Sequence, residues 1–195
     1  MGTPSIINSW NRGAMRRIRS FPDDERMRMT DAIPRRNRNA IARARSDEWL
    51  DIDHTLAVCD ALVEVLGAER AVEFWRDFVY ESWVGGLLEP LAESLRSGMD
   101  EGERSARRSL LELAPAAWSM SARECGEIVV TRAPDGRVQL EARELPPSVR
   151  VSQGLRMLYA GALKAMLEFS RTRASVEIVD DADQLAFRVT MKPKT

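Results

Sequence analysis

The chain is predicted to be α+β: an N-terminal helical part followed by a four-stranded antiparallel sheet built as hairpin, helix, hairpin. Three observations carry this. Residues 125–193 alternate apolar and polar positions with period two in four short runs. One amphipathic stretch with helical spacing, over about 152–171, separates the two pairs of runs. Upstream of Cys125, apolar residues recur every three to four positions.

The C-terminal third is the clearest. Ile128 and Val130 point one way, Val129 and Thr131 the other, and Pro134-Asp135-Gly136 supplies a turn. On the return strand Val138, Leu140 and Ala142 face inward, while Arg137, Gln139, Glu141 and Arg143 face water. Leu145-Pro146-Pro147 ends it, because proline cannot donate to a ladder. Ser152 is a candidate N-cap for a helix whose apolar stripe holds Leu155, Leu158, Tyr159, Ala162, Leu163 and Met166. Gly154 and Gly161 lie within it, and glycine inside a helix costs about 1 kcal/mol against alanine. Close approach of this helix to the sheet is the expected compensation, with room for a ligand as the alternative. In the last hairpin Val176 and Ile178 alternate with Glu177 before a polar turn at Asp180-Asp181-Ala182-Asp183. Leu185, Phe187, Val189 and Met191 then face inward; Ala186, Arg188, Thr190 and Lys192 face out.

Upstream, Ile7, Trp10, Ala14, Ile18 and Phe21 share one helix face. Pro22 with Asp23-Asp24-Glu25 starts a second helix, since acids favour the positive end of the dipole, and Pro34 breaks it. A third, arginine-rich helix runs to about Arg45, and Ser46-Asp47-Glu48 reads as a further start. Leu56, Cys59, Leu62, Val63 and Leu66 form a stripe that ends at Gly67. Phe74, Trp75, Phe78 and Val79 mark the next helix, interrupted at Gly85-Gly86. Its stripe continues through Leu87, Leu88, Leu91 and Leu95 to Gly98, and residues 97–104 form a polar connection. Leu110, Leu111, Leu113 and Trp118 mark a last upstream helix, with Pro115 as a break. The chain divides into a basic helical arm, 1–45, and a single domain, 46–195, helical to 124.

With 195 residues, 44% of them hydrophobic and 30% charged, the chain has the composition of an ordinary globular domain. Its two cysteines are far apart, no signal peptide is visible, and no apolar run approaches the roughly 20 residues of a membrane span. The expected setting is a reducing cytoplasm. The charge is unevenly spread. Residues 1–45 carry eleven arginines against four carboxylates, a net +7, which leaves −8 for the remainder. Arg12, Arg16, Arg17, Arg19, Arg35, Arg36 and Arg38 form the candidate basic patch. It could dock on the chain's own acidic body or a neighbouring subunit, meet a partner protein, or bind nucleic acid or anionic lipid.

Catalytic motifs are missing. The sequence holds no glycine-rich phosphate loop, nucleophile elbow or dinucleotide fingerprint. His54 is the only histidine, too few for an ordinary zinc site, though a haem axial role is conceivable. Cys125 reads as a structural thiol. The run Phe74, Trp75, Phe78, Tyr80, Trp83 reads as core or as a pocket wall.

Several short motifs carry a resemblance: Glu48-Trp49-Leu50, Leu66-Gly67 with Glu69-Arg70, Phe74-Trp75, Ala117-Trp118, Glu124-Cys125-Gly126 and Leu145-Pro146-Pro147. With the order of elements over roughly residues 47 to 192, the chain resembles the superfamily of haem nitric-oxide-binding and 4-vinyl-reductase-like domains. More closely, it is similar to a paralogous family of unknown function expanded in myxobacteria. The resemblance implies a ligand pocket between helices and sheet, with Phe74, Trp75, Phe78, Trp118, Leu158 and Gly161 as candidates for its wall. It does not imply haem. The haem-binding branch uses a histidine and a Tyr-x-Ser-x-Arg motif, whereas Tyr80-Glu81-Ser82-Trp83-Val84 ends in valine and precedes the first hairpin. The reductase branch's cysteines and histidines are also not evident. The expected function is therefore a non-catalytic sensory or scaffold domain for a small apolar ligand or a protein partner, with a homodimer among the expected assemblies. No cofactor is expected. The alternatives are an adaptor acting through the arginine arm and, third, a haem sensor or enzyme centred on His54.

Overall fold

The computed structural model describes residues 2–85, 89, 113–132, 138–169, 174–181 and 184–191. Strand β1 (Ser5–Ile7) leads into α1 (Asn8–Ile18), α2 (Asp23–Ala32) and α3 (Arg35–Arg43). Then come β2 (Trp49–Asp51), α4 (Ile52–Leu66) and α5 (Ala68–Trp83). The later part holds α6 (Ala114–Ser121), β3 (Ala122–Arg123), β4 (Glu127–Arg132), β5 (Val138–Arg143), α7 (Pro147–Val151), α8 (Gln153–Phe169), β6 (Ala174–Asp181) and β7 (Gln184–Met191). Among the described residues no helix is long and apolar enough to cross a membrane.

The larger sheet has the order β4-β5-β7-β6, antiparallel throughout. Val138, Leu140 and Ala142 are buried, and Leu140 pairs with Phe187 of β7. This is the α+β architecture predicted, with α8 linking the two hairpins. Ala186 departs from the expected wet face and is 3% exposed. It is registered between Glu141 and Val179, and a methyl group is shaded by longer cross-strand neighbours. The Pro134-Asp135-Gly136 turn, the 182–183 part of the second turn, the Leu87 to Gly98 stripe, the 97–104 connection, Leu110 and Leu111 lie outside the described residues.

Helix ends follow local chemistry. The Ser152 hydroxyl accepts from the Leu155 N–H at 3.0 Å, and Asp60 adds a second cap by accepting from Ser152 Oγ and Gly154 N at 2.9 and 3.0 Å. Gly67, with φ 78°, closes α4. One boundary differs from expectation. Ser46-Asp47-Glu48 does not start a helix; Trp49–Asp51 is a strand, and the Asp51 carboxylate caps α4 by accepting from the Asp53 N–H at 2.9 Å. Pro115 stands in the first turn of α6, where its missing N–H costs nothing, and the residues before Leu113 that the expected kink or break would separate from it lie outside the described residues.

The second sheet, order β2-β1-β3, joins the N-terminus to the body and makes 46–124 less purely helical than expected. Ile6, Ala14, Ile18, Met29, Ile33 and Ile41 of the first 45 residues belong to the same core cluster as α4, α5 and α8. Charge reinforces this docking: Arg17 reaches Asp77 at 2.7 Å and Glu81 at 2.6 Å, both on α5.

The two glycines of α8 face helices rather than the sheet, which corrects the expected direction of approach. A Cβ on Gly154 would lie 2.3 Å from the Cys59 carbonyl carbon of α4, and one on Gly161 2.6 Å from the Val72 carbonyl oxygen of α5. The opposite side of α8 meets the sheet, where the Tyr159 and Phe187 rings stand 5.7 Å apart. The helix is thus held between α4 and α5 on one side and strands on the other.

Candidate functional site

Where α1, α4, α5, α6 and α8 converge over the sheet, they border a cavity of about 70 Å³. Its wall is almost wholly apolar, and α5 turns Trp75, Val79 and Trp83 toward it at helical spacing. Of the six residues named from sequence, Trp75, Trp118 and Leu158 line the cavity. The other three stand elsewhere. Phe74 packs on Phe21, Phe78 on Trp10 and beside Gly13, and Gly161 against the backbone of α5. The indole of Trp118 is already engaged, donating to the Gly126 carbonyl at 3.2 Å.

The polar atoms in the wall are unusual. Asn11 accepts from the Thr55 hydroxyl at 2.9 Å, but its amide nitrogen has no partner among the described residues. The same holds for Trp75 Nε1, Trp83 Nε1 and Tyr159 Oη, all on residues that line the cavity. Each of these four residues is at most 6% exposed. A buried donor left unmade costs about 1–3 kcal/mol. Burial also pushes the Tyr159 phenol well above its ordinary value, so it stays protonated and able to donate. Asn11 and Tyr159 were not singled out as site residues from sequence, since nothing local distinguishes a lining donor from a satisfied core residue.

His54 lies at the start of α4, away from the cavity wall. Its Nδ1 sits 3.1 Å from Asn37 Nδ2, and because the amide donates, this nitrogen is the acceptor. Asn37 also donates to the Asp53 carbonyl at 3.2 Å, which ties α3 to α4. Both thiols are buried. Burial raises Cys59 well above the ordinary thiol value and Cys125 to about 11, which disfavours the reactive thiolate. Cys125 Sγ lies 3.1 Å from the Arg123 carbonyl and 3.5 Å from that of Ser5. Among the described residues no cluster of three or more His, Cys, Asp or Glu could hold a metal ion.

The seven candidate arginines separate. Arg17 is bound to α5 and lies over the Phe74 ring at 5.7 Å, and Arg36 donates to Asn37 at 3.4 Å. Arg12, Arg16, Arg19, Arg35 and Arg38 share one open groove of about 620 Å³ between α1, α2 and α3, together with Arg26.

No family model matches the chain, and no curated protein matches it. Solved structures do. An H-NOX from Shewanella woodyi in the Fe(II)CO ligation state is 14% identical, with TM-score 0.57, over 96% of this chain and 95% of that one. An unliganded Fe(II) H-NOX variant from K. algicida is 8% identical, TM-score 0.58, over 96% and 97%. An oxygen-binding H-NOX domain related to soluble guanylate cyclases is 13% identical, TM-score 0.53, over 96% of each chain. The chain therefore has the H-NOX-like fold.

Haem, carried by proteins of that fold, does not fit the residues found here. The one histidine of the chain is outside the cavity, and no arginine, lysine or cysteine of the described residues lines it. Met166 and the protonated Tyr159 phenol are poor substitutes for an imidazole ligand. The cavity's volume is about half that of an apolar cavity of about 150 Å³ that takes benzene, far below a porphyrin.

Proposed function

We propose that this chain is a haem-independent sensory domain of the H-NOX-like fold, and that its interior cavity binds a small, mainly apolar molecule carrying hydrogen-bond acceptors. The observation that carries this reading is the set of four buried, unpartnered donors on Asn11, Trp75, Trp83 and Tyr159 around one apolar cavity. Apolar walls supply affinity by burial, and a few polar atoms fix orientation, which is the usual division of labour in small-molecule sites. An acceptor that reaches one of these donors would satisfy a hydrogen bond that no described residue makes, so the gain exceeds that of the same bond formed at a surface. Bound ligand would couple α5, α6 and α8 to the sheet, because all four contribute to the wall. The neighbours in fold lend no support to an adaptor acting on nucleic acid or membrane.

Acetone and propane, both smaller than benzene, test this as a matched pair of probes. The ketone is expected to change the tryptophan emission saturably and raise the melting temperature, and the alkane to do so more weakly. Filling the cavity with Ala117→Leu is expected to remove both responses while the protein stays folded. Incubation with haem is expected to leave the purified protein colourless. Equal responses to ketone and alkane would remove the role of the donors, and a haem spectrum lost in His54→Ala would overturn the haem-independent reading.

A further inference from the structure

The groove between the first three helices is a second site, independent of the interior cavity. We propose that it binds the oligophosphate group of a soluble small molecule. Arg12, Arg16 and Arg19 follow one another at spacings of four and three, so α1 and its C-cap residue Arg19 carry all three on a single face. Arg35 and Arg38 stand three apart on α3, and Arg26 comes from α2. All six line the same concavity, and no carboxylate of the described residues does.

Outside the groove Arg17 pairs with Asp77 and Glu81 and Arg45 with Asp47, while Arg28, Arg36 and Arg43 make no salt bridge among the described residues. In the groove only Arg26 has one, Asp23 at 2.9 Å, while Arg12 donates to the Ala44 carbonyl. Arg16, Arg19, Arg35 and Arg38 have no acidic partner among the described residues. Helix polarity makes a separate point. α2 begins with Asp23, Asp24 and Glu25, as the positive end of a helix dipole favours. α3 reverses this: its first turn has no acid and starts with Arg35 and Arg36. Cations there are mutually repelled and opposed by the dipole, and an anion in the groove would relieve both terms.

Arginines from three helices around one groove suit an anion with several oxygens spread over more than one centre, which a bidentate arginine grips well. Thr30 and Asn39 add neutral polar groups, while Met15, Ile18 and Ile41 give the groove apolar floor for the rest of a ligand. A volume of about 620 Å³ is that of a small-molecule site. A duplex or a bilayer would call for a broad basic face, whereas these arginines border one concavity.

Calorimetric titration with inorganic tripolyphosphate tests the site. One equivalent is expected to bind saturably, with affinity falling as salt rises. Arg35→Gln with Arg38→Gln should weaken it about tenfold or more. Arg28→Gln with Arg43→Gln removes the same charge from exposed positions outside the groove, and should change affinity by no more than about twofold. Circular dichroism checks that both pairs stay folded. Absence of saturable binding, or equal weakening by the two pairs, would overturn the proposal. So would attachment to phosphatidylserine vesicles or a DNA duplex through Arg35 and Arg38 with no response to tripolyphosphate.

Discussion

The interior cavity and the arginine groove are built from opposite materials. The cavity is walled by side chains gathered from five helices and the sheet, and its polar atoms are few and buried. The groove needs only three short helices of the arm, is open, and is dominated by charge. Recognition in the first depends on exclusion of water and on shape; in the second it depends on a field that salt screens. The two should therefore respond to different perturbations. Mutations that disturb helix packing should damage the first together with stability, whereas mutations in the second should alter binding while the fold persists.

The largest effect separates them most clearly. Gly161→Val is expected to destabilise the protein by about 3 kcal/mol in urea unfolding, because its Cβ would lie 2.6 Å from both the Val72 carbonyl oxygen and Trp75 Cβ. A backbone oxygen cannot swing aside, so α8 must move off α5 and the cavity wall moves with it. A loss below about 0.5 kcal/mol would mean that the helices are not held at this separation.

Next comes the cap that aligns the same helix. Asp60→Ala removes the acceptor for Ser152 Oγ and Gly154 N, and should cost about 1–2 kcal/mol. Asp60→Asn, which keeps an acceptor oxygen, should recover part of that loss.

Tyr159→Phe has the opposite expected sign. Removing a buried hydroxyl that has no partner among the described residues should stabilise the ligand-free protein by about 1 kcal/mol and weaken ketone binding. A destabilised variant would show that the hydroxyl is already satisfied in solution, and the contrast between the two sites would then rest on the remaining donors.

How far these two regions could be read from sequence differs for the same physical reason. Alternation of Val138, Leu140 and Ala142 places the sheet, because burial of one face imposes period two locally. The strands of three, three and two residues in the second sheet left no such period, and pairing across more than a hundred positions is not a local property. Trp75, Trp118 and Leu158 could be named as apolar candidates, but which apolar residues line a void is decided by the relative placement of helices. In the groove, Arg12, Arg16 and Arg19 share a face legibly. Their union with Arg26 and Arg38, and the diversion of Arg17 to α5, required the tertiary structure.

The joint between the two regions titrates. Cys125, beside β3, donates toward the Ser5 carbonyl of β1 and so helps attach the arm to the body. Burial holds its thiol to about 11, above the ordinary value of 9.0. The folded protein therefore keeps a proton that the unfolded chain has lost between those two values. Stability should be undiminished by this group below about pH 9 and should fall as pH rises toward 11. Buried Cys59 and Tyr159, both raised, add slopes of the same sign at high pH. Cys125→Ala should flatten part of the fall, read from urea midpoints over that range.

The smallest effect on stability belongs to the groove. Arg35→Gln with Arg38→Gln should change the unfolding free energy by less than about 0.5 kcal/mol, since exposed charges without acidic partners hold nothing together. The sign at low salt should be slightly stabilising, because two mutually repelling cations leave the positive end of α3. Raising the salt should erase that gain through screening. Tripolyphosphate should reverse the order of the two proteins, since it stabilises only the one that binds it. A double variant clearly less stable than its parent at every salt concentration would show these arginines to be structural, and the groove would lose its distinction from the interior.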